Sequence, residues 1–109
     1  MAFNANQITV SNATPTALLV QGGTPQSPTA GSFYNITGSA NDPLPVIIKN
    51  TDASITVFIG GNQQTLTTGN GYPLLAGASL PMTLLNSGDI PYALAASGSP
   101  KVAVLVGRQ

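Results

Sequence analysis

Residues 74–96 read LLAGASLPMTLLNSGDIPYALAA, and whether this stretch is helix or strand decides the fold. Leucine and alanine are good helix formers, so composition alone favours a helix. The punctuation argues otherwise. Pro81 and Pro91 each remove a backbone donor and clash with the preceding turn, while Gly77 and Gly88 weaken what remains. Cut at those points, the stretch becomes short apolar runs joined by turns: Leu74-Leu75, residues 79–85 and residues 92–95.

The same grammar extends outward. Residues 44–49 and 55–59 are dense in Val, Ile and Phe and are the strongest strand candidates. Residues 101–106 form another, and residues 8–10 and 17–20 are shorter ones separated by a bend at Thr14-Pro15. Residues 33–37 alternate weakly. Gly60-Gly61-Asn62-Gln63 reads as a hairpin connection between Ile59 and Leu66, its glycines supplying positive φ. Asn70-Gly71, Ala76-Gly77, Ser87-Gly88-Asp89 and Ser97-Gly98-Ser99-Pro100 mark further turns. Some seven to nine short strands, with turns at intervals of about ten residues, predict an all-β chain: a single β-sandwich, jelly-roll or Ig-like in topology.

A chain of 109 residues holds one such domain. Two segments are expected to stand apart from its core. Residues 1–6 form a polar N-terminal arm in which Phe3 is the large apolar residue, leaving 7–109 as the domain. Within it, residues 21–31 (QGGTPQSPTAG) carry three glycines and two prolines and form a flexible loop. Both segments are suited to ordering on a partner, which makes Phe3, Asn4, Asn6 and Gln7 of the arm side and Pro25, Gln26 and Pro28 of the loop the candidate partner contacts.

Only 6% of the residues are charged, with three bases, three acids and zero net charge. A soluble domain ordinarily carries about 25%. Asn, Gln, Ser and Thr supply roughly a third of the chain and must form most of its surface. Zero net charge does little to keep copies apart and favours association. Three dispersed cations make no basic stripe, so no nucleic-acid partner is expected. No run approaches the roughly 18 to 20 apolar residues of a membrane span, and residues 1–6 lack the basic and apolar regions of a secretory signal.

Chemistry is sparse. The chain has no His, Glu or Cys, so Ser–His and Cys–His nucleophilic arrangements and cysteine or histidine zinc sites are excluded. Asp42 and Asp52 sit in turn settings, Asn41-Asp42-Pro43 and Asn50-Thr51-Asp52, where aspartate bonds nearby backbone amides. The expectation is a protein that is not an enzyme, with no catalytic residues, metal, cofactor or small-molecule substrate. Phe33 and Phe58 are expected to fill the core and the tyrosines to sit at its rim.

From Ile48 onward a pattern is quotable: VFIGG at 57–61, Thr67-Thr68, NGYPL at 70–74, Ala76-Gly77, YALAASG at 92–98 and VAVL at 102–105. This order resembles small virion proteins of tailed bacteriophages, of the capsid decoration (cement) or head-fibre and adaptor type. The resemblance covers a little over half the chain. It implies a homotrimer that binds the major capsid protein on the outer surface of the head and stabilises it, assembled in the host cytoplasm. The other role within the resemblance is a binding module of a head or tail fibre or adaptor, recognising carbohydrate through exposed tyrosines.

Overall fold

The computed structural model describes residues 4–22, 32, 33, 36, 38–86 and 89–107. Among them are eight strands and no helix: β1 (Asn4–Thr9), β2 (Thr16–Ala17), β3 (Leu44–Asn50), β4 (Val57–Gly60), β5 (Tyr72–Leu74), β6 (Ser79–Leu84), β7 (Tyr92–Ala95) and β8 (Lys101–Val106). The helical reading of residues 74–96 thus fails where its prolines and glycines say it should. Pro81 stands in the middle of β6, an edge strand that tolerates its missing N–H, and Pro91 immediately precedes β7.

Two antiparallel four-stranded sheets form, in the orders β1-β8-β3-β6 and β2-β7-β4-β5. The pairing is nested: β1 with β8, β2 with β7, β3 with β6 and β4 with β5. That is the strand order of an eight-stranded jelly roll. One buried cluster draws on both sheets, an arrangement compatible with a small β-sandwich. Val46, Ile48, Val102, Val104 and Val106 come from the first sheet, and Val57, Ile59, Leu74, Ala93 and Ala95 from the second. Alternation makes this possible, since β3 and β8 bury every second residue. Burying each such Val or Ile side chain contributes roughly 1.5 to 3 kcal/mol.

Asn50, at the end of β3, ties the sheets together. It is fully buried; its Nδ2 donates to the Leu74 carbonyl at 2.9 Å and the Ile55 carbonyl at 2.8 Å, and its Oδ1 accepts from the Asp52 amide at 3.1 Å. The Ala76-Gly77 turn lies beside it, with Gly77 at φ 79° and its amide bonded to the Asn50 carbonyl.

Several local expectations need correction. Residues 4–6 are not part of an arm: they pair with Val106, Leu105 and Val104 as the first half of β1. Backbone hydrogen bonds make a ladder whatever the side chains, and the strongly apolar β8 offered an edge that the segment Asn4-Ala5-Asn6 could join. Residues 17–20 give only the end of β2, because Leu18 and Leu19 are buried in succession rather than in alternation, and Phe33 makes an isolated bridge to Gln21. Gly60 and Gly61 do not make a short hairpin to Leu66. β4 pairs with β5, and residues 61–71 connect them. Neither glycine has positive φ.

Candidate assembly surface

The two sheets treat their outer faces differently. On the second sheet the outward row is Pro73, Phe58 and Leu94, which are cross-strand partners. Residues 61–71 cross this face. Gln63 Nε2 donates to the Pro15 carbonyl at 3.4 Å, carrying the loop over β7 to the start of β2. Asn70 pins the loop internally: its Oδ1 accepts from the Thr67 amide at 2.7 Å and its Nδ2 donates to the Thr65 carbonyl at 2.7 Å. Leu66 is thereby pressed inward and is only 8% exposed, while Leu94 is 7% exposed.

Gly60 and Gly71 make room for Leu66. A Cβ on Gly60 would stand 2.7 Å from Leu66 Cδ1, and one on Gly71 would stand 2.7 Å from Phe58 Cβ and 2.8 Å from Leu66 Cδ1. These glycines serve close approach, not turn geometry. Phe58 accordingly packs under the loop, half-buried, whereas Phe33 is fully buried in the main core. Tyr92 is half-buried, and Tyr72 is 59% exposed at the sheet edge.

Among the described residues nothing comparable covers the outer face of the first sheet. Register places Ala5, Leu105, Ile47 and Pro81 in one row across all four strands. Ile47 is 42% exposed, and Ala5 and Pro81 are exposed too. Pro45, Ile47, Leu105 and Gly107 enclose a shallow apolar depression of about 200 Å³. On one side the next row is Gln7, Ala103, Lys49 and Ser79, with Lys101 opposite Thr9 beyond it. Two of the three bases of the chain therefore lie on this face, and the acids lie elsewhere: Asp42 and Asp52 in the turns flanking β3, Asp89 just before β7.

A second concavity, of about 280 Å³, lies between the sheets where β4 and β6 end and β7 begins. Ile59, Met82, Leu84, Ile90 and Pro91 give it apolar walls, and Gly60, Gly61 and Asp89 complete its lining. Asn86 Nδ2 donates to Asp89 Oδ2 at 3.3 Å, and the Asp89 amide donates to the Asn86 carbonyl.

Asp52 does what its turn setting predicts. Its Oδ2 accepts from the Ser54 amide at 2.9 Å and the Ile55 amide at 2.8 Å, and these bonds lower its pKa from the ordinary 3.8. Among the described residues no three acidic, His or Cys side chains gather to hold a metal, and no helix is long and apolar enough to cross a membrane.

Of the partner contacts expected from sequence, Phe3, Pro25, Gln26 and Pro28 lie outside the described residues. Asn4 lies in β1. Asn6, also in β1, is half-buried and donates from Nδ2 to the Ser32 carbonyl at 2.8 Å. Gln7 is exposed on the outer face of the first sheet. Exposed Ile47 and Pro81 and half-buried Leu105 were not anticipated on an outer face. The signal for them was present in Val46-Ile47-Ile48 and Val104-Leu105-Val106, apolar runs without alternation that read as strands covered on both faces. Comparison with known proteins places this arrangement in no group: no family model, curated protein or solved structure matches the chain.

Proposed function

We propose that this chain is a virion structural protein, a capsid decoration (cement) protein that assembles as a homotrimer and binds the major capsid protein on the outer surface of a bacteriophage head. The observation that carries the reading is the outer face of the first sheet, where exposed Ile47, Ala5 and Pro81 and half-buried Leu105 form one apolar row that no described residue covers. A domain whose described residues cover one sheet with a loop and leave the other uncovered is suited to be a subunit. The resemblance of residues 48–108 to small phage virion proteins supports the same role. A cement protein joins capsid subunits through several weak patches at once, so a trimer multiplies modest contacts. A neutral surface of Thr, Asn and apolar groups makes contacts that respond weakly to salt.

The test is co-sedimentation with phage heads stripped of minor proteins, compared at low and high salt. Saturable retention at a fixed ratio to the major capsid protein, together with heads more resistant to heat, supports the reading. Absence of retention on such heads contradicts it.

Exposed Tyr72 favours a second reading, a carbohydrate-recognising module of a head or tail fibre or adaptor. Retention on a glycan array that disappears in Tyr72→Ala would establish it in place of the first.

A further inference from the structure

We infer that the apolar face of the first sheet receives a second copy of this chain, and that the part received is the groove between the sheets that carries Asp89. The inference rests on the self-association in the proposed function and specifies its two surfaces. Charge is the first argument. The face holds Lys49 and Lys101, both exposed, and the outward positions of its four strands hold no acid. In the groove, exposed Asp89 is the charged residue, set among Ile59, Met82, Leu84, Ile90 and Pro91. Each surface thus combines apolar area with one sign of charge, and the signs are opposite. Electrostatic complementarity of this kind fixes register and rejects wrong pairings.

The same distribution argues against the simplest alternative. Pairing the face on itself by a twofold axis brings four ammonium groups and no carboxylate into the contact. Joining face to groove is instead a heterologous, head-to-tail contact, in which each copy offers its face to one neighbour and its groove to the other. Such contacts close into rings when the rotation permits. A ring of three is the expected product, and it covers Ile47 and Leu105 on every copy. Zero net charge on the chain leaves no long-range repulsion to oppose it.

The test is a charge-reversal cycle read by light scattering across a dilution series, at low and physiological salt. Lys49→Glu with Lys101→Glu sets acid against acid, and Asp89→Lys sets base against base. Either variant is expected to weaken self-association by about tenfold or more at low salt. All three substitutions in one chain restore opposite charges at every contact and should return association to near the native level. Circular dichroism and melting of each variant confirm that these exposed positions leave the fold intact. Native protein that is a monomer at all concentrations overturns the inference, as does a triple variant no better than the worse of the two parents. A dimer indifferent to Asp89→Lys overturns it in favour of twofold pairing. The head-binding assay is separate: a variant cycle that fails while native protein still binds heads rejects this contact alone. A cycle that succeeds in protein that ignores heads rejects the decoration role alone.

Discussion

The first and second sheets are built from equal numbers of strands around one core, yet they end differently at their outer faces. Outside the second sheet, residues 61–71 turn back, Leu66 seats on Gly60 and Gly71, and Phe58 and Leu94 are covered by the chain itself. Outside the first, exposed Ile47 and half-buried Leu105 stand in a row that no described residue covers in that way. An apolar face sealed internally serves stability. One left open contributes less to the isolated fold and is available to a neighbour. The contrast therefore divides the molecule into a half sealed by its own loop and a half whose outer face, in the proposed function, meets a neighbour.

Substitutions should separate the halves. The largest loss is expected at the joint between them, where Asn50→Ala leaves the buried Leu74 carbonyl and the half-buried Ile55 carbonyl without their shared donor. About 3 kcal/mol of unfolding free energy should disappear, read as a lowered urea midpoint. Next comes the sealed face: Leu66→Ala empties the space over Gly60 and Gly71 and should cost about 2 to 3 kcal/mol. Gly71→Ala, which sets a methyl against Phe58 and Leu66, should cost about 1 to 2 kcal/mol by the same measurement. On the open face, Ile47→Ser should change monomer stability by no more than about 0.5 kcal/mol while weakening assembly. Equal losses for Leu66→Ala and Ile47→Ser in the isolated subunit would dissolve the contrast.

The smallest effect is in acid. Asp52 has a folded-state pKa below 3.8 because the Ser54 and Ile55 amides favour its carboxylate. Its contribution is therefore complete above pH 3.8 and is lost as pH falls through the folded value. Stability measured from pH 5 down to pH 2 should decline in the native protein and decline less in Asp52→Asn.

Much of this architecture was legible in the chain. Pro81, Pro91, Gly77 and Gly88 ruled out the helix, and the bounds expected for β7 and β8, residues 92–95 and 101–106, are those observed. The turn role of Asp52 followed from its neighbours. Where the reading went astray, the cause was a partner distant in sequence. Residues 4–6, Asn-Ala-Asn, carry no strand signal of their own and become a strand only because β8 lies beside them. Gly60 and Gly71 read as hairpin glycines because Leu66, which needs their missing side chains, packs from a loop whose path is not encoded locally. The open face was hidden for a further reason. Apolar runs such as Val46-Ile47-Ile48 announce two covered faces without saying whether the chain or a partner supplies the cover.

The central claim is that the outer face of the first sheet is buried in an assembly of this chain. Light scattering on native protein and on Ile47→Asp, over the same dilution series, tests it most directly. The account predicts a native mass of about three times the 11.0 kDa chain and a single-chain mass for the variant, both folded by circular dichroism. A native single-chain mass at every concentration, or equal masses for the two proteins, would contradict it.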